Sequence, residues 1–154
     1  MKKKLFIATL SVFALLSTQT YAQCNDGWFS NRVSIYAASG THTGAGAAYS
    51  FVYNFSNYIS AGTEFSVVAH SCNTSIPTSI CMRIRPCGYH NIMPSATIST
   101  GYSINTQENN SAMIWPRISL ETGRFVKAIN FAADIGCYIS KHQKCATFGA
   151  SLLF

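Results

Sequence analysis

The sequence predicts an all-β chain, an eight-stranded antiparallel up-and-down transmembrane β-barrel, and three observations carry that prediction. Apolar and polar residues alternate with period two through eight segments, the spacing of strands whose two faces meet different surroundings. Charged residues are only 10% of the chain while hydrophobic residues are 48%, against roughly 25% charged in ordinary soluble domains. Beyond the leader, no segment reaches the ~18 consecutive apolar residues of a spanning helix. A lipid-exposed chain without such a helix must close into a barrel, because in lipid every backbone N–H and C=O has to be satisfied internally.

The chain opens with Met1-Lys2-Lys3-Lys4, an apolar run over residues 5–16, and then Ser17-Thr18-Gln19-Thr20-Tyr21-Ala22, with small residues at Thr20 and Ala22. These are the three regions of a cleaved secretory signal peptide, assigned to residues 1–22. Residues 23–154 then form a single β-barrel domain. Gln23, directly before Cys24, argues against a lipoprotein signal, which carries a small residue there. The net charge of +6 counts these three lysines among eleven basic residues. What remains never gathers into more than Arg83-Ile84-Arg85, so there is no electrostatic footprint for nucleic acid.

The strands follow in order. Val33, Ile35 and Ala37 alternate with Ser34, Tyr36 and Ala38, and 40–44 is a loop. The clearest strand is 47–55, with Ala47, Tyr49, Phe51, Tyr53 and Phe55 on one face and Ala48, Ser50, Val52 and Asn54 on the other. A turn at 56–58 returns the chain through 59–70 as a hairpin. Ile80, Met82 and Ile84 oppose Cys81, Arg83 and Arg85 in a short strand, and 95–104 is a longer one. After the polar loop 105–110, residues 113–121 form a strand in which Pro116 forfeits a ladder bond. Strands over 128–136 and 146–154 complete the set, and no helical periodicity follows residue 22.

Alternation alone fits a sandwich or a barrel. The less apolar face is mostly Ser, Thr, Gly, Ala and Asn, which suits a narrow barrel interior better than a solvent surface, where about 25–35% charge is normal. Its charges are Glu64, Arg83, Arg85, Arg117, Glu121 and Asp134, three of each sign, and a closed interior can pair them. The alternative is a soluble, disulfide-linked periplasmic or secreted β-sandwich binding module with these six on its surface.

The last residues add a further pattern, Ala146, Phe148, Ala150, Leu152 and Phe154 at every second position. This resembles the carboxy-terminal signal strand of bacterial outer-membrane β-barrels, and the whole of 23–154 resembles the small eight-stranded barrels typified by OmpX and the OmpA transmembrane domain. The resemblance implies the bacterial outer membrane as location, outer-membrane lipids and the barrel-assembly machinery as partners, and a monomer. It implies a structural, envelope-maintaining or surface-interaction (adhesion-type) role, with a plugged lumen and no catalysis.

With both termini in the periplasm, loops near 39–44, 70–79, 105–111 and 137–144 face outward. Those near 56–58, 86–93 and 121–125 face the periplasm. Six cysteines in an oxidising compartment favour disulfides, and the topology suggests Cys72–Cys81, Cys137–Cys145 and Cys24–Cys87. Tyr49, Tyr53, Tyr58 and Tyr102 suit interfacial girdles, whereas Trp115 has inward parity. His42, His70, His90 and His142 are scattered singly without metal-ligand spacing, and His70-Ser71 lacks a spaced nucleophile and base. No metal, cofactor or catalytic residue is assigned.

Overall fold

The computed structural model describes residues 28–70, 73–86, 92–106, 109–122 and 129–154. The leader assigned to residues 1–22 lies outside them. The strands are β1 (Trp28–Gly40), β2 (Gly44–Asn54), β3 (Ile59–His70), β4 (Thr74–Ile84), β5 (Ile92–Asn105), β6 (Ser111–Thr122), β7 (Asn130–Ser140) and β8 (Lys144–Leu153). Each pairs antiparallel with the next, and β1 pairs with β8, closing the barrel. The closure is carried to the final residue: Asn31 N–H donates to the Phe154 carbonyl at 2.7 Å and Phe154 N–H donates back at 3.0 Å. The sandwich alternative is therefore not the architecture.

Two expected loops are largely strand. β4 begins at Thr74 rather than Ile80, and β7 runs through Cys137 to Ser140. The alternation over 74–79 is real, with Ser75, Pro77 and Ser79 inside and Ile76, Thr78 and Ile80 outside. It is hard to read because Ser and Thr contrast little and Pro77 suggests a break. The β3–β4 register does lapse there, between Phe65↔Thr78 and Val68↔Ser75. The β6–β7 register lapses likewise beside Pro116, between Ile114↔Ile139 and Arg117↔Gly136. A proline has no N–H for the ladder.

The registers fix the stagger. Tyr36 lies opposite Gly46, Gly46 opposite Val68, Val68 opposite Ser75 and Ser75 opposite Asn105. Continued through β6, β7 and β8, the walk regains β1 at the level of residue 46, a shear of about ten residues. With rises near 3.3 Å and strand spacings near 4.8 Å, eight strands so staggered tilt by about 40°. An eleven-residue strand such as β4 then spans about 28 Å along the axis, matching the ~25 Å apolar band of outer-membrane barrels.

The two faces of the wall differ sharply. Ile35, Ile80 and Ile118 are each about two-thirds exposed, and Phe65, Ile98, Leu120, Phe131, Ile135 and Phe148 also point outward. Inside are Ser, Thr, Gly and Asn, together with every charged side chain of the described strands except Lys144 at the start of β8. Gly62 marks how tightly neighbouring strands approach, since a Cβ there would meet the Val52 Cα at 2.6 Å and the Phe51 carbonyl oxygen. Backbone cannot yield as a side chain can. Gly62→Val is expected to destabilise the barrel by about 1–3 kcal/mol through overpacking, read as a lower urea midpoint for unfolding.

Candidate functional site

The candidate site is the barrel lumen, and strand parity builds it. Inward positions recur every second residue, so each strand sends a file of side chains toward the axis, where they meet partners from across the barrel.

Nearest the end that holds the 55–58 turn lies an ionic layer of Arg32, Arg83, Arg85, Glu121 and Asp134. Arg85 Nε donates to Glu121 Oε2 at 3.3 Å, Ser95 Oγ donates to Glu121 Oε1 at 2.6 Å, and Arg85 Nη1 donates to Asn54 Oδ1 at 3.2 Å. Arg32 pairs with Asp134 and also donates to Ser119 Oγ at 3.1 Å. Ser151 donates to Asp134 and lies 2.8 Å from Ser34 Oγ. Next comes Glu64, which accepts from Arg117 Nη2 at 2.5 Å, from Ser50 Oγ at 3.0 Å and from Ser99 Oγ at 3.2 Å. Arg117 lies over the Trp115 ring at 4.1 Å.

Beyond these layers the lumen turns apolar. Tyr36, Ala48, Val68, Met113, Trp115 and Tyr138 form one buried cluster. Tyr36 and Tyr138 flank Trp115 with centroids at 4.8 and 6.1 Å, and the indole N–H donates to Thr147 Oγ1 at 3.0 Å. At the opposite mouth, Ser75 Oγ donates to Asn105 Oδ1 at 2.7 Å and receives Gln143 Nε2 at 3.3 Å.

The structure brings together all six charges singled out in the sequence, Glu64, Arg83, Arg85, Arg117, Glu121 and Asp134. It adds Arg32, which is 1% exposed. Arg32 shares the parity of Ser34 and Tyr36, so running the first strand back one residue past Val33 finds it. Trp115 is inside, in keeping with its parity. The outward Phe29, Phe51, Tyr53 and Phe55 stack in succession near the 55–58 end, while Tyr49, also on the outer wall, donates to Asn31 Oδ1 at 2.6 Å.

The disulfide assignments change. Cys81 lies inside β4 and is buried, Cys137 points outward and Cys145 inward, and all three are free thiols. Cys137 and Cys145 sit on opposite faces of one wall, so Cys137–Cys145 does not form, and Cys81 stands as a buried thiol within β4. Cys72 itself and the pair Cys24 and Cys87 lie outside the described residues. His42 and His70, far apart in sequence, face each other at 6.0 Å between ring centroids, His142 lies in the 141–143 turn, and His90 is outside the described residues. Among the described residues, no three His, Cys, Asp or Glu side chains gather as a metal site would require. Ala146, Phe148, Ala150 and Leu152 all lie on the outer face of β8.

The buried pair of Glu64 and Arg117 yields a sharp test. Glu64→Gln leaves the Arg117 guanidinium buried without its counter-charge and is expected to cost about 3–5 kcal/mol in a denaturant titration, whereas replacing both residues by Met is expected to be near neutral. Equal losses in the two variants would contradict the pairing.

No protein-family model matches the chain, and no curated protein matches it in sequence. Solved structures do. The chain is similar to Neisserial surface protein A, with a TM-score of 0.63 and 8% identity over 86% of this chain and 98% of that one. It is similar to the N-terminal β-barrel domain of Pseudomonas aeruginosa OprF, with a TM-score of 0.56 and 12% identity over 81% and 97%. It is also similar to the outer membrane protein OprG from Pseudomonas aeruginosa, with a TM-score of 0.55 and 10% identity over 82% and 95%. At such identities the likeness is one of fold: the closed eight-stranded barrel of small outer-membrane proteins.

Proposed function

We propose that this chain is an integral outer-membrane barrel with a structural, envelope-maintaining role, a side-chain-filled lumen and no catalytic activity. One observation carries the reading. The wall turns large apolar side chains outward and buries its arginines and carboxylates, the inverse of a water-soluble fold and the arrangement that lipid outside and a polar interior require. The barrels of similar fold, an outer membrane protein and a surface protein among them, support the location. The leader at residues 1–22 would direct export, and the outward file Ala146 to Phe154 would serve the barrel-assembly machinery.

The plugged lumen rests on its layers. Arg32, Arg85 and Arg117 reach across to carboxylates on other strands, and Trp115 with two tyrosines fills the section beyond. An eight-stranded barrel is just wide enough for side chains to fill. The envelope-maintaining role is favoured over adhesion by loop length: at the end opposite the termini, only residues 41–43, 71–73 and 141–143 join three of the four strand pairs. Outer-membrane barrels that display a binding surface do so on longer extracellular loops.

The protein is expected in the outer-membrane fraction, with faster gel migration before boiling than after, and with no steady large conductance in planar bilayers. A freely soluble protein would overturn the membrane reading, and a large steady current would overturn only the plug. Ile80→Lys separates lipid from water directly. Ile80 lies at the middle of β4 and is 65% exposed, so a lysine there is expected to cost about 2–4 kcal/mol in lipid vesicles, while on a watered surface the change would be close to neutral.

A further inference from the structure

Among the described residues, the lumen charges do not balance. Its four arginines, Arg32, Arg83, Arg85 and Arg117, face three carboxylates, Glu64, Glu121 and Asp134. Each carboxylate has a close partner: Arg117 for Glu64 at 2.5 Å, Arg85 for Glu121 at 3.3 Å, and Arg32 for Asp134. Among the described residues, Arg83 is the arginine without a close carboxylate of its own. It is 2% exposed, and its nearest counter-charge is Glu121 Oε1 at 3.8 Å, an oxygen already accepting from Ser95. A fully buried charge left this way is costly unless something pairs with it.

The groups around Arg83 are short of acceptors too. Arg83 Nε and Nη1 make no hydrogen bond within the protein, and neither do Ser60 Oγ and Thr97 Oγ1. Ser60 and Thr97 are its direct cross-strand neighbours, one on β3 and one on β5. From across the lumen comes Arg32, whose Nε and Nη1 are likewise unused and whose Nη1 lies 4.0 Å from the same Glu121 oxygen. Two guanidinium groups and two hydroxyls thus present buried donors, where the described residues carry one more positive charge than negative. Glu121 also faces the site, but its charge is held on its other side by Arg85. A small anion satisfies both shortages at once, since it neutralises the excess and accepts from the idle donors.

We propose that the barrel holds a single small monovalent anion of the halide type at Arg83, flanked by Ser60 and Thr97 and faced by Arg32. A small ion is the fitting class, because the idle donors stand in a layer already occupied by five charged side chains, Arg32, Arg83, Arg85, Glu121 and Asp134. The site lies in the half of the barrel nearest the 55–58 turn.

Chloride-35 NMR of the full-length protein in detergent micelles tests this, at constant ionic strength with gluconate as the replacing anion. The wild type is expected to broaden the chloride line, and bromide to narrow it again by competition. Arg83→Met is expected to abolish the broadening, Thr97→Val and Ser60→Ala to weaken chloride binding severalfold, and Lys144→Gln, on the outer surface, to leave it unchanged. Should Arg83→Met fail to fold, Thr97→Val decides: weakened binding supports the site and unchanged binding overturns it. Absence of broadening in the wild type, which is the result if water alone satisfies these donors, overturns the proposal, as does equal broadening by Arg83→Met.

Discussion

The structure depends on one constraint, the closure of eight staggered strands into a ring whose last member bonds to its first. Closure leaves no edge, so the ladder itself satisfies most backbone groups and the outer wall is free to be almost wholly apolar. It also sets the radius, and the radius dictates the interior. Inward side chains from facing strands share a narrow space, so most positions hold serine, threonine, glycine or alanine, and the few large residues interleave by height. Arg117 extends to Glu64 while Ser50 and Ser99, on strands between, stay short enough to bond the same carboxylate.

The same narrowness makes charge affordable only in company. Each carboxylate in the lumen receives an arginine and at least one hydroxyl: Glu64 has Ser50 and Ser99, Glu121 has Ser95, and Asp134 has Ser151. These serines explain the composition of the small-residue face. They are small enough to pass the radius constraint and polar enough to supply the hydrogen bonds that buried carboxylates demand. The low charged fraction of the chain thus has a geometric origin, because one face of every strand carries apolar side chains and the other holds only seven charges among the described residues.

Parity is what the sequence makes legible, and nearly everything decided by parity can be read there. The eight strands, the inward set with Glu64 and Arg117, and the inward Trp115 all follow from counting by twos. What parity does not decide is where a strand stops. Thr74 to Ser79 alternates with weak contrast and contains Pro77, and Cys137 lies in a strand that runs on to Ser140, so Cys137 and Cys145 end on opposite faces and stay free thiols. Which inward residue meets which is also hidden, because it depends on the registers of the strands that lie between them. The pairing of Arg32 with Asp134 needs the β7–β8 and β8–β1 registers together, and the meeting of His42 with His70 needs the register of the β2–β3 hairpin, where Gly44 faces His70.

Proline shows how lumen and wall support each other. The two lapses in the ladder, beside Pro77 on β3–β4 and beside Pro116 on β6–β7, both border the aromatic layer. Ser66 and Val67 stand at the first lapse next to Val68, and Trp115 and Tyr138 stand at the second. Where β6 and β7 lose ladder bonds, the indole of Trp115 contacts Tyr138 on β7 and donates to Thr147 on β8, so side chains tie the strands together at the height where backbone does not. Arg117 closes over the other face of that indole and carries the support on to Glu64 on β3. The aromatic layer therefore acts as an internal brace beside the two prolines of the closed wall. A wide, water-filled lumen would offer no such brace, and in it the same two prolines would leave the wall weakened at one height.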